Sequence, residues 1–189
     1  RGLGDVYKRQ DEVLVPNPVW LNYIHVPNSL GATPITYSLK EENNFQIDFE
    51  ELESKITERT KMIVIVDPSN PTGGVFSEET LKKLADIAIK NDLLVISDEI
   101  YEQLTYDGTK HICIASLPGM KERTIKLGGF SKAYSMTGWR LGYMCAPEEV
   151  IKACVRVHQY TITCASSFVQ EAAITALNDL SLIHISEPT

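Results

Sequence analysis

Three short strings collect the residue types that chemistry uses. Ser69-Asn70-Pro71-Thr72-Gly73 offers an amide among turn formers, Asp98-Glu99-Ile100-Tyr101 offers two carboxylates and a phenol, and the stretch from Phe130 to Arg140 offers Ser131, Lys132 and Arg140. A lysine amine acts as a nucleophile only when partly desolvated, because an ordinary lysine with a pKa of about 10.4 is protonated at neutral pH. Each string alone also has an ordinary reading. An Asn among turn formers is held by local backbone hydrogen bonds, and Asp98-Glu99 after a strand is a solvated helix cap. A lone Lys132 is surface charge, and Arg140 beside Trp139 is a cation–π contact. Order and placement must decide between these readings.

The elements that would position the strings are legible from Asp11 onward, where short β-branched runs alternate with longer amphipathic stretches. That alternation is the pattern of βαβ units and predicts an α/β fold with a mainly parallel mixed sheet. The runs are residues 13–15, 33–37, 62–66, 93–97, 124–127 and 141–145. Between the third and fourth, Leu81, Leu84, Ala85, Ala88 and Ile89 recur at helical spacing, behind Ser77 as N-cap and acidic Glu78 and Glu79 in the first turn. Asp48 and Glu51 read as a capping box opening a short helix through Ile56, and residues 148–160 and 167–178 predict two more helices. Such a sheet carries helices on both faces and binds ligands at the carboxyl ends of its strands. The three strings follow the runs at 62–66, 93–97 and 124–127, so they are expected to meet at one edge.

Composition narrows the function class. With 189 residues, 43% of them hydrophobic and 23% charged, the chain is expected to be one globular domain or a piece of one. A net charge of -7 leaves no basic stripe for a phosphate backbone, so nucleic acid is not an expected partner. Cys113, Cys145, Cys154 and Cys164 form no C-x-x-C pair, which argues against a metal site or disulfide framework and for reduced thiols in the cytoplasm. No apolar run approaches the roughly 20 residues of a membrane helix. The ends RGLGDVYKRQ (1–10) and LSLIHISEPT (180–189) resemble translated sequencing-adapter sequence and are expected to be non-native.

Taken in order, SNPTG, DEIY and FSKAYSMTGWRLGY resemble the class I and II aminotransferases of the aspartate aminotransferase fold, the fold type I pyridoxal-phosphate enzymes. The resemblance covers residues 11–179 and implies the central part of that family's large cofactor-binding domain, which would be incomplete here. It implies that Lys132 carries pyridoxal 5'-phosphate covalently and, once released by substrate, moves protons at the substrate α-carbon. Asp98 would pair with the cofactor ring nitrogen, and Tyr101 and Asn70 would hydrogen-bond the ring hydroxyl oxygen. Arg140 would hold the phosphate with its planar fork. Trp20, in PNPVWLNY, would stack on the ring, although a core tryptophan reads equally well. Gly129 departs from the hydroxyl residue that many relatives carry three positions before the lysine. Either a phosphate contact moves to Ser131, or the glycine permits close backbone approach.

The resemblance further implies transfer of an amino group from an L-amino acid to a 2-oxo acid, by a homodimer when full length. The glycine-containing phosphate loop of the family would precede Asp11, and the arginine for the substrate carboxylate would follow Asn178. On that count the chain alone is expected to be inactive. The segment VHQYTITCASSFVQEAA is similar to the subgroup acting on aspartate, aromatic or diaminopimelate-type amino acids, without choosing among them. Two alternatives stand beside transamination. One is a lyase or decarboxylating synthase of the same fold, and the other is an aminotransferase-like sensing domain of a transcriptional regulator. SMTGWR, where the regulators typically have a PGLR-type string, leans toward transamination.

Overall fold

A computed structural model describes residues 11–178, so the adapter-like strings at 1–10 and 180–189 lie outside the described residues. Six strands form one sheet: β1 (Glu12–Asn17), β2 (Thr33–Ser38), β3 (Thr60–Val66), β4 (Leu94–Asp98), β5 (Thr124–Gly129) and β6 (Gly142–Cys145). Their spatial order is β2-β1-β3-β4-β5-β6. The first five run parallel and β6 pairs antiparallel with β5, giving the expected mainly parallel mixed sheet.

Alternation along the strands divides the apolar side chains between two cores. Leu14, Ile63, Ile65 and Val95 face one side and pack with Leu52 of α2 (Phe49–Ser54) and with Leu81, Leu84, Ala85 and Ala88 of α3 (Glu78–Lys90). Val13, Val15, Met62, Val64 and Val66 face the other side, with Tyr23 and Ile24 of α1 (Asn22–Ser29) and Val150 of α4 (Glu148–Thr161) against them. Both faces are covered, as a parallel sheet of β-branched strands requires. The last helix, α5 (Ser167–Asn178), contributes Ala173 to a smaller cluster with Phe130 and Met136.

Local signals account for most helix starts. Ser77 accepts a hydrogen bond from the Thr80 amide at 3.1 Å, the expected cap of α3. Asp48 caps α2 through the Glu51 amide at 3.2 Å. The reciprocal half of the capping box is not made, because the Glu51 carboxylate turns to Ser38 and Lys55 instead. Periodicity did not predict α1, which carries Pro27 inside its eight residues and buries no side chain fully. A proline removes a helical hydrogen bond and reads as a break. Among the described residues, no helix is long and apolar enough to cross a membrane.

Candidate cofactor site

Parallel register brings the three strings together. Val66 at the end of β3 pairs with Asp98 at the end of β4, and Asp98 pairs with Leu127 on β5. The first loop is then folded by its own backbone: the Ser69 amide bonds the Gly74 carbonyl at 2.8 Å and the Gly73 amide bonds the Ser69 carbonyl at 2.9 Å. Gly73 sits at φ +71°, a left-handed conformation that suits glycine. The Asp67 amide reaches the Asp98 carbonyl at 3.0 Å, which ties this loop to the next strand. Among the described residues, the Asn70 side-chain amide at the loop tip makes no hydrogen bond, contrary to the local role a turn Asn would have.

Lys132 stands on a tight turn pinned from both sides. Phe130 and Met136 are buried, the Met136 amide bonds the Phe130 carbonyl at 3.2 Å, and the Ser135 amide bonds the Lys132 carbonyl at 3.1 Å. Lys132 itself is exposed, with its Nζ 5.5 Å from the centre of the Tyr101 ring. Gly129, just before the turn, is a close-contact glycine. A Cβ there would lie 2.9 Å from Ile100 Cδ1 and 3.2 Å from the Gly142 Cα, so β6 passes where a hydroxyl side chain would begin.

A cavity of about 200 Å³ is lined by Trp20, Val66, Asn70, Asp98, Ile100, Tyr101 and Lys132. Five of the seven anticipated residues therefore share one space. Trp20 is 55% exposed, which removes the reading of it as a core tryptophan. Ser131 and Arg140 do not line this cavity. The Ser131 carbonyl accepts from Thr137 Oγ1 at 2.7 Å. Arg140, exposed at φ +54° after the Thr137–Trp139 turn, donates from Nη1 to the Thr137 carbonyl at 2.8 Å.

Two groups that local sequence reasoning passed over act on the site. Tyr23 Oη donates to Asp98 Oδ2 at 2.5 Å, and the Ile100 amide donates to Oδ1 at 3.2 Å. Burial, and then the negative charge of Asp98, push the Tyr23 phenol far above its ordinary value, so it remains a donor. The second group is a charged cluster beneath the loops. Glu99, fully buried, receives Ser97 Oγ, His111 Nε2 and Lys126 Nζ, each at 2.9 Å. Lys126 also reaches Glu102 at 2.5 Å, placing its ammonium between two carboxylates. The signal for this cluster was Lys126 itself, a charge inside a strand of a sheet covered on both faces.

The constellation fits pyridoxal phosphate chemically: an amine for covalent attachment, an aromatic face, an oriented carboxylate, an amide and a phenol around one opening. Residues 6–187 match the family described as aminotransferase class I and II. A 178-residue stretch, 94% of this chain, is 44% identical to aromatic-amino-acid aminotransferase 2 of Thermococcus litoralis and covers 46% of it. Identity to the aspartate aminotransferase of Pyrococcus abyssi is 45%, with the same coverage. The solved aromatic aminotransferase from Pyrococcus horikoshii OT3 superposes with a TM-score of 0.92 at 40% identity, over 95% of this chain and 48% of that one. For the Thermus thermophilus aspartate aminotransferase with maleate, the TM-score is 0.89 at 36% identity, over 95% and 46%. The chain thus spans about half the length of the relatives it matches. With sheet, loop placement and sequence agreeing over nearly all of its residues, the chain belongs to the aminotransferase class I and II family.

Proposed function

We propose that residues 11–179 are the central part of the large domain of a pyridoxal-phosphate-dependent aminotransferase, which transfers an amino group from an L-amino acid to a 2-oxo acid. The observation that carries this reading is the convergence of Trp20, Asn70, Asp98, Tyr101 and Lys132 on one cavity. When bound, the cofactor supplies an electron sink for charge developing at the substrate α-carbon. Lys132 would hold it covalently through Nζ and, once freed, would serve as the group that moves the proton at that carbon. Asp98, oriented by Tyr23 and the Ile100 amide, keeps the ring nitrogen protonated. Asn70 and Tyr101 hydrogen-bond the ring hydroxyl, and the exposed face of Trp20 stacks on the ring. Arg140 and Ser131, outside the cavity lining, would hold the phosphate, where the planar guanidinium suits a charged oxygen.

The matched relatives are named as aminotransferases, which supports amino transfer over bond cleavage, condensation or a sensing role. The relatives described above are named for aspartate or aromatic amino acids, and further solved structures are named for N-succinyldiaminopimelate and alanine, so the reading extends to an L-amino acid of the aspartate, aromatic or diaminopimelate type without choosing among them. A homodimer in the full-length protein is part of the same reading. The four free cysteines accord with a reducing, cytoplasmic location. A coupled assay of the full-length protein with aspartate or phenylalanine and 2-oxoglutarate tests the reading. Turnover that requires added pyridoxal phosphate is expected; no amino transfer from either donor would sink it.

A further inference from the structure

Beneath the cofactor cavity, two buried carboxylates belong to two different loops. Asp67 is the first residue after β3, three before Asn70, and Glu99 is the first after β4, between Asp98 and Tyr101. Their side chains are 2% and 0% exposed, and the imidazole of His111, 8% exposed, lies between them. His111 Nε2 is 2.9 Å from Glu99 Oε2, and Nδ1 is 3.4 Å from Asp67 Oδ2. The second approach lacks hydrogen-bond geometry, yet each of its atoms is buried and has no other hydrogen-bond partner among the described residues. Asp67 Oδ1 is already held by the Phe76 amide at 2.9 Å, and among the described residues the imidazole is the cationic group within ion-pair distance of Oδ2.

We propose that His111 is a positioning residue of the cofactor site, clasping Asp67 and Glu99 so that the Asn70 loop is held in fixed relation to Asp98 and Tyr101. Without the imidazole, Asp67 keeps an uncompensated buried oxygen, and the loop that carries Asn70 relaxes to hydrate it. Burial opposes a charge on His111, but the nearby carboxylates of Asp67 and Glu99, the latter hydrogen-bonded to the imidazole, outweigh it and raise its pKa to about 9. The other ionisable groups around the cluster are Lys126 and Cys113, both on Glu99, with Glu102 and Tyr143 behind Lys126. Asp67, Glu99 and Glu102 set three carboxylates against His111 and Lys126, so the imidazolium offsets negative charge that Lys126 alone would leave. A purely structural ion cluster would move melting temperature alone, whereas a positioning residue also moves the chemistry of the site.

The inference rests on the cofactor reading above, and the experiment separates the two. In the full-length protein with pyridoxal phosphate, His111→Gln and His111→Ala are compared with wild type for kcat, substrate KM and the pH dependence of the bound-cofactor absorbance. His111→Ala is expected to lower kcat about tenfold or more with KM nearly unchanged and to move the absorbance midpoint, and His111→Gln, which restores one donor, to recover part of both. Folded variants with wild-type kcat and an unmoved midpoint overturn the inference, whatever their melting temperature. A wild-type protein that forms no borohydride-fixed adduct overturns the cofactor reading itself, and this inference with it. Should neither variant fold, the histidine resonance of wild type decides. A clasp coupled to the cofactor residues must respond when they are occupied, so the His111 pKa is expected to change on cofactor binding, and an unchanged value overturns the inference.

Discussion

Tyr23 and Asp98 stand 75 residues apart in the chain and meet at 2.5 Å, with the phenol donating to the carboxylate. The bond fixes the direction of the Asp98 carboxylate while leaving Asp98 open to the cavity. Tyr23→Phe is expected to retain cofactor and to lose about ten- to a hundredfold in turnover, the scale of one hydrogen bond to a charged group. Absorbance titration and steady-state kinetics check both parts. A fully active Tyr23→Phe would show that the carboxylate needs no such support.

Asp98→Asn isolates the charge from the shape. The amide fills the same space beneath Tyr23 and beside the Ile100 amide. Cofactor binding is expected to survive, whereas transamination falls steeply, because the carboxylate acts on ring electronics more than on affinity. An unchanged turnover number would remove Asp98 from the site.

Stability should fall on the alkaline side because of His111. Its pKa in the folded chain, raised from 6.5 to about 9, makes its contribution complete below about pH 6.5 and lost as pH rises through 9. The limiting size is roughly 3 kcal/mol. Glu99 works in the opposite direction: burial resists its ionisation, but His111 and Lys126 hold its pKa below the ordinary 4.5, so its contribution is present above that value and lost toward acid. Melting temperature measured from pH 6 to 10 should decline for wild type and flatten for His111→Gln. Parallel curves for the two proteins would contradict this assignment.

Gly128 is kept small by Tyr143, whose Cζ would lie 2.4 Å from a Cβ at that position. Gly128→Ala must displace the ring and break the Tyr143–Glu102 hydrogen bond of 3.0 Å, at a cost of about 1 to 3 kcal/mol. Adding Tyr143→Ala should remove most of the extra penalty in a double-mutant cycle. Simple additivity of the two changes would contradict the contact.

The sheet was readable because the runs at 62–66 and 124–127 are β-branched and end in polar strings, and Ser77 announces α3 by a cap that the structure makes. Asn70, Asp98, Tyr101 and Lys132 could be anticipated together because each lies at or just beyond the end of a strand, and parallel pairing brings strand ends to one edge. Tyr23 escaped because Pro27 masks α1, the helix that carries it. His111 escaped because its partners, Asp67 and Glu99, lie on other loops, and no local periodicity encodes such pairing. Arg140 and Ser131, anticipated beside the others, lie outside the cavity lining because their turn closes on its own Thr137.

The 189-residue chain by itself is expected to turn over weakly or not at all. It spans 46% of its Thermococcus relative, and the cavity wall includes an exposed Lys132 and a Trp20 that is 55% exposed. Charge-assisted contacts contribute roughly 1.5 to 3 kcal/mol each, so supplying only part of the full set holds substrate poorly. The coupled assay with aspartate or phenylalanine run on the chain alone is the check, and robust turnover would contradict the expectation.

Whether Lys132 carries the cofactor can be read from a reductive label. Full-length protein is incubated with pyridoxal phosphate, reduced with borohydride, digested and mapped by mass spectrometry. A pyridoxyl label on Lys132, in the peptide containing Ser131 and Ala133, is expected. A label confined to Lys126 or Lys152 instead, with Lys132 unmodified, would contradict it.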